Sequence, residues 1–276
     1  MTRLFRPHRT RLGGAVYLIP NLLTTGNLFF GYFSIIKSMQ NQFLWAANAI
    51  LLSTIFDILD GRVARLTRST SEFGVQYDSL CDLVSFGLAP AILMYQFGLY
   101  RVGRIGWILC FIYLACGALR LARFNVQSAI GKANGDFTGL PIPAPAGLIA
   151  CFVGFIAEYG DPENLEFWVI KKLYDVFTVT EVRVGFLLVM APILAWFMVS
   201  NITFRSHKSL NIRIIKPFKL LVLFVVIVGL CAYKATLAGF LFFFAYALSG
   251  PVEWILGRKA ADEDDIFEVS EKGKNL

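Results

Sequence analysis

Residues 55–86 read IFDILDGRVARLTRSTSEFGVQYDSLCDLVSF, and four aspartates stand in this stretch beside or within apolar runs: Asp57, Asp60, Asp78 and Asp82. A carboxylate inside an apolar helix is costly and marks function by default. Asp57 and Asp60 are spaced i,i+3, and Asp78 and Asp82 are spaced i,i+4, so each pair occupies one face of a helix. The connection between the pairs is short, which predicts neighbouring antiparallel helices whose acidic faces converge. Converging carboxylates cannot all remain ionised without a counter-charge. One or two hard divalent cations would supply it. Oxygen ligands with no histidine or cysteine nearby favour Mg2+ or Mn2+ over Zn2+.

Small and basic residues accompany the acids. Gly61 follows Asp57 by one turn and Gly74 precedes Asp78 by one turn. Missing side chains beside a metal leave room for a bulky group such as a diphosphate, although they also suit close helix packing. Arg65 lies two turns beyond Asp57 on the same face, where it can neutralise a phosphate. An arginine at a helix end can equally snorkel to the membrane surface. The four acids on the same hairpin favour the phosphate role.

The rest of the chain is that of a membrane protein. It has 276 residues, 57% hydrophobic and 16% charged, with a mean hydropathy of +0.62. A soluble domain of this length carries more charge. Several apolar runs reach the roughly 20 residues needed to cross a bilayer. They are continuous, not alternating, which argues against an outer-membrane barrel. The expected fold is an all-α integral membrane protein. It would have about eight spans, near 16–38, 43–65, 78–98, 104–124, 142–159, 184–203, 218–235 and 238–256.

A basic segment, 1–15, would lie at the cytoplasmic interface. The transmembrane domain would cover 16–256, with a catalytic hairpin at 43–98. The polar tail 257–276 would be disordered. An amphipathic interfacial helix is expected within 160–183, where Phe167, Trp168, Ile170, Leu173, Tyr174 and Phe177 recur at helical spacing. The net charge of +7 sits in short loops, which points to topology and anionic lipid headgroups and away from nucleic acid. With the N-terminus inside, the loops at 62–77, 120–141 and 204–219 carry most of the basic residues. The acid hairpin then opens to the cytoplasm, in the cell (inner) membrane. Arg101 and Arg104 run against this bias. The five cysteines lie in apolar segments without zinc-like pairing and read as buried hydrophobes. No short apolar leader with a cleavage site precedes the first span.

Taken together, Asp57-x2-Asp60-Gly61-x2-Ala64-Arg65-x8-Gly74-x3-Asp78-x3-Asp82 resembles the signature of the CDP-alcohol phosphotransferases, with every fixed position matched. Eight fixed residues at fixed gaps form a far more specific pattern than a lone glycine triplet. The resemblance implies that Asp57, Asp60 and Asp78 hold two divalent metals, with Asp82 also near them. These would grip the diphosphate of a CDP-linked lipid, CDP-diacylglycerol. It implies Asp82 as the general base on the acceptor hydroxyl. It also implies that Gly61, Arg65, Ser71 and Gly74 lie on the nucleotide or its phosphates, and that the protein forms a homodimer.

Further segments bear on the rest of the substrate. Pro20-Asn21-Leu22-Leu23-Thr24-Thr25-Gly26-Asn27 resembles the family's nucleotide-side segment. Asn21, Thr24 and Asn27 share a helix face and can bond either the donor or another helix. The segments 118–125, with Arg120, Arg123 and Asn125, and 137–146, with Pro141, Pro143 and Pro145, resemble the phosphatidylserine synthase branch. Serine is therefore the expected acceptor. Arg120 and Arg123 can meet its carboxylate, can meet the acidic donor, or can simply anchor a helix end. Glycerol 3-phosphate, inositol phosphate or choline would need the same chemistry with another acceptor. An ether-lipid donor also fits. A cation transporter is the rival of another class, but the acids cluster at one end of a hairpin and do not line a route across the bilayer.

Overall fold

The computed structural model describes residues 13–67, 71–130, 137–158, 168–204 and 234–255. The basic N-terminal segment, the polar tail and His207 lie outside the described residues. So does the expected span 218–235, except for its last two residues.

The described chain is helical. It runs α1 (Gly13–Met39), α2 (Phe43–Leu66), α3 (Glu72–Asp82), a π-helical stretch (Leu83–Leu88), α4 (Ala89–Phe97) and a 3-10 turn (Leu99–Val102). Then follow α5 (Arg104–Ala129), α6 (Pro143–Glu158), α7 (Trp168–Thr178), α8 (Thr180–Val199) and a last helix, α9 (Ala235–Ile255). Five helical segments are long and apolar enough to cross a membrane: α2, the continuous unit 72–97, α5, α8 and α9. Of the eight expected spans, these account for five. The spans expected at 16–38 and 142–159 correspond to α1 and to the 16-residue α6.

Helix α1 is the longest, and a small-polar stripe breaks up its apolar sequence. Thr24, Asn27, Gly31, Ser34 and Ser38 follow one another at intervals of three and four, so they lie on one face. The four polar members of the stripe are at most 5% exposed. The Ser34 hydroxyl donates to the carbonyl of Ala46 at 2.9 Å, fastening α1 to the start of α2. A Cβ on Gly31 would collide with Ser85, so glycine sets how closely α1 approaches the π-helical stretch. Small residues at helix contacts serve this purpose in membrane proteins. The α1–α2 turn puts Asn41 at φ +59°, a left-handed conformation that asparagine tolerates better than most residues.

Helix α6 is the central pillar. Every residue from Ala144 to Ile156 is buried, as expected of a helix that is apolar all round. It packs against α2, α4, α7 and α9, while α5 pairs with α8. Phe152 at its centre meets Phe177, Phe186 and Phe240 at 5.3, 4.6 and 6.0 Å. The amphipathic helix expected within 160–183 is α7. Its Tyr174 and Phe177 face α6 and α8, and Lys171 and Lys172 are exposed.

The chain entering α6 is fixed by a short antiparallel pairing in which Phe137 faces Phe204 and Thr138 faces Thr203. Gly139 then adopts φ +79°, and a Cβ there would strike the carbonyl oxygen of Met198. Its N–H donates to the carbonyl of Ile202 at 2.9 Å, and that of Leu140 donates to the carbonyl of Phe197 at 2.9 Å. Pro141 lies in the non-helical entry, whereas Pro143 and Pro145 fall in the first turn of α6. There a missing N–H costs no helix bond.

Candidate active site

The acids gather where α1, the C-terminal half of α2 and the C-terminal half of α3 meet. One carboxylate oxygen each from Asp57, Asp60 and Asp78 lies within 4.8 Å of the others. Oδ2 of Asp60 and Oδ1 of Asp78 are buried and have no hydrogen-bond partner. Unpaired buried carboxylate oxygens are strongly disfavoured, and an all-oxygen cluster suits a hard divalent cation. The residues present therefore fit the metal expected from the sequence.

Asp82 lies outside that trio but within electrostatic reach of all three of its members. Its side chain is 8% exposed, and Nδ2 of Asn27 donates to its Oδ1 at 2.9 Å. Asn27 is in turn held from behind, because the Ser85 hydroxyl donates to its backbone carbonyl at 3.0 Å. The π-helical stretch begins one residue after Asp82, and the Tyr113 hydroxyl donates to the carbonyl of Phe86 within it at 3.1 Å. Single-turn π segments inside α-helices occur often at functional sites. Here the wider turn sets the register of α4 relative to Asp82.

A cavity of about 150 Å³ opens beside the acids. Asn21, Thr24, Asp60, Gly61, Arg65, Ser71, Gly74 and Asp78 line it, together with Pro20, Ala64 and Val75. The residues expected on the donor from the sequence thus share one wall-to-wall space. Thr24 donates to the carbonyl of Pro20 at 3.0 Å, and its side chain also meets the Asp60 carboxylate. Arg65 is exposed at the mouth, alongside Gly61. Ser71 caps α3, its hydroxyl oxygen accepting from the N–H of Gly74 at 3.0 Å. A Cβ on Gly74 would stand 3.1 Å from that oxygen and project into the cavity. The N-terminus of α3 therefore faces the cavity, and helix N-termini attract phosphate.

The three residues expected at the acceptor separate. Arg120 is 7% exposed and within electrostatic reach of Asp57 and Asp82, its guanidinium 5.3 Å from the Phe124 ring. Arg123 instead closes the end of α8, donating to the carbonyls of Val199 and Ser200 at 2.9 and 3.2 Å and to Oδ1 of Asn201 at 3.3 Å. Carbonyls at a helix C-terminus need such donors. Asn125 ties α5 to α3 through Ser79 Oγ at 3.0 Å and Gln76 Oε1 at 3.4 Å.

Sequence reasoning flagged Asn27 as a residue bonding the donor or a helix; the structure gives it Asp82. The π-helical stretch left no signal in the residue pattern.

A polytopic helical membrane protein with an oxygen-only acidic cluster beside a phosphate-sized cavity belongs to a narrow class. Comparison with known proteins defines it further. A family model described as CDP-alcohol phosphatidyltransferase matches residues 17–181. The chain is 35% identical over 240 residues to a CDP-diacylglycerol–serine O-phosphatidyltransferase of Helicobacter pylori strain J99, covering 87% of this chain and 92% of that protein. It is 43% identical over 145 residues to an archaetidylserine synthase of Methanothermobacter thermautotrophicus, covering 51% of this chain and 60% of that one. A CDP-diacylglycerol–serine O-phosphatidyltransferase of Methanocaldococcus jannaschii is 41% identical over 144 residues, which is 52% of this chain and 64% of the relative. The protein belongs to the CDP-alcohol phosphatidyltransferase family.

Proposed function

We propose that the protein transfers the phosphatidyl group of CDP-diacylglycerol to L-serine, forming phosphatidylserine and CMP. The observation that carries this reading is a cluster of three carboxylates, two of which, Asp60 and Asp78, line a cavity whose other walls include Arg65, Ser71 and the α3 N-terminus. The Helicobacter pylori relative, similar over nearly its whole length, bears a serine-specific name, and this supports serine as the acceptor.

Asp57, Asp60 and Asp78 hold the divalent metal, two ions of Mg2+ or Mn2+, with Asp82 at their edge. Bound metal supplies neutralising charge on the attacking and leaving oxygens of a diphosphate displacement. Arg65 and the N–H groups opening α3 receive the diphosphate. Gly61 and Gly74 keep the space beside it clear, and Asn21 and Thr24 face the nucleotide. Asp82, aimed by Asn27, takes the proton of the serine hydroxyl. The serine oxygen then bonds to the phosphorus bearing diacylglycerol, and the bond from that phosphorus to the bridging oxygen breaks. CMP departs with the bridging oxygen and its electron pair. Buried Arg120, near Asp57 and Asp82, attracts the serine carboxylate. Arg123 and Asn125 complete the acceptor region from behind, by holding the end of α8 and the start of α3.

The same reading makes the protein a homodimer of eight-span subunits in the cell inner membrane, with the acid cluster at the cytoplasmic face. Residues 1–15 would form a basic interfacial segment, 16–256 the transmembrane domain and 257–276 a disordered tail. The positive-inside charge distribution supports the orientation. The archaetidylserine relative keeps serine and changes the lipid, so the lipid tails are a separate question from the acceptor. Purified protein given CDP-diacylglycerol and Mn2+ should release CMP with serine at a rate at least ten-fold above that with glycerol 3-phosphate, inositol phosphate or choline. Equal or faster release with another acceptor rejects the serine assignment.

A further inference from the structure

A second cavity, of about 550 Å³, lies at the other end of the bundle. Asn41, Gln42, Phe43, Leu44, Trp45, Phe97, Ile156, Ala157 and Arg183 line it. It includes the first residues of α2, whereas the acid-lined cavity includes the last turns of the same 24-residue helix. At 1.5 Å per residue the two are roughly 30 Å apart, about one bilayer core.

Arg183 is the residue that lacks an explanation. Its Nε is buried and has no hydrogen-bond partner, and its guanidinium stacks 4.6 Å from the Phe97 ring. It stands in the first turn of α8, where the helix dipole disfavours a cation. Arg101 is within electrostatic reach of it and adds to the unfavourable charge. Lys37 is held beside the cavity by Gln42, its Nζ donating to Gln42 Oε1 at 2.7 Å. Among the described residues no acid forms an ion pair with any of these three: Glu181, in the same first turn of α8, is exposed, and Glu158 accepts the Thr236 hydroxyl at 2.6 Å. Arg101 is also one of the residues that oppose the positive-inside distribution. Cations gathered here against topology, dipole and mutual repulsion call for an anion.

The cavity wall is amphiphilic. Trp45 is 62% exposed and, with Phe43, Leu44 and Ile156, offers an apolar surface next to the Arg183 guanidinium. Tryptophan suits the boundary between headgroup and acyl chain. Free phosphate needs neither this apolar surface nor this volume. We propose that this cavity binds the phosphodiester headgroup of an anionic glycerophospholipid, with Arg183 on the phosphate and the glycerol and upper acyl chain against Trp45. It is a lipid site separate from the reaction centre.

The test uses the full chain in uncharged detergent. Phosphatidylglycerol, phosphatidylcholine or inorganic phosphate is titrated in turn while the thermal unfolding midpoint is followed. Phosphatidylglycerol is expected to raise the midpoint in the unmodified protein and equally in Asp78→Asn, with a half-saturating concentration at least five-fold higher in Arg183→Gln. Phosphatidylcholine and inorganic phosphate are expected to have little effect. A readout independent of the stability of Arg183→Gln uses phosphatidylglycerol brominated on its upper acyl chain. It should quench part of the tryptophan emission, and Trp45→Phe should remove that part. The lipid assignment is overturned by an equal response to phosphatidylcholine, by inorganic phosphate alone reproducing the stabilisation, or by loss of the response in Asp78→Asn. Fractional quenching that is the same with and without Trp45 overturns it as well.

Discussion

Helix α6 and the C-terminal half of α2 are both apolar stretches in contact with the core, yet they are built on opposite principles. From Ala144 to Ile156, α6 is buried without interruption and carries no acidic or basic residue. In α2 the packed part is the first half, Ala46, Ala47, Ala49, Ile50 and Ser53. Beyond it come Asp60, Gly61 and Arg65, around an open space instead of a filled one. The first helix gains stability from close contacts on every side. The second gives up contacts to hold carboxylates, among them Asp60, whose buried Oδ2 finds no hydrogen-bond partner among the described residues. Stability and chemistry are thus divided between two neighbouring helices, which pack against each other with Ala47 of α2 beside Gly154 of α6.

That division is open to attack at both ends. Asp82→Asn should reduce CMP release by about 10²–10⁴-fold, the usual worth of a general base, while the unfolding midpoint falls little. A variant that turns over normally would remove Asp82 from the chemistry. Chelation of divalent metal should abolish release in the same assay, and added Mn2+ should restore it. In the opposite sense, Phe152→Ala should cost about 3–5 kcal/mol of stability, the range for truncating a buried phenylalanine. Folded molecules of this variant should keep their turnover per molecule, measured as CMP release normalised to folded protein. A large loss of turnover would mean that packing and chemistry are not separable.

Smaller effects probe the boundary between the two regions. Gly139→Ala places a Cβ at positive φ against Met198 and should lower stability by about 1–3 kcal/mol, read from the unfolding midpoint. Asn27→Ala removes the donor to Asp82 and should slow turnover by roughly 10- to 100-fold, since a lost hydrogen bond to a charged group is worth about 1.5–3 kcal/mol. The loss should appear in kcat more than in the KM for serine. A change confined to KM would make Asn27 a substrate contact and not an orienting residue.

The acid hairpin was legible because its spacing is local. Two residues one turn apart on a helix share a face whatever surrounds them, and the residues matched to the donor in the sequence all line the cavity beside Asp60 and Asp78. The acceptor residues were harder, because Arg120, Arg123 and Asn125 follow one another on one helix and yet have three different surroundings. Arg120 is buried towards the acids, Arg123 is spent on the carbonyls closing α8, and Asn125 reaches α3. An arginine near a helix end looks the same in sequence whether it faces a substrate or a neighbouring carbonyl.

By itself the sequence determined the helical membrane class, the pairing of acids on helix faces and their oxygen-only donor set. Those follow from composition, hydrophobic run length and the 3.6-residue turn, all properties of short stretches of chain. Only the tertiary structure decided that Asn27 holds Asp82, that a π-helical stretch follows it, and that Arg183 at the far end stacks on Phe97 with its Nε left without a hydrogen-bond partner. Each of these depends on which helix lies opposite, and contacts between residues far apart in the chain leave no periodic trace in it.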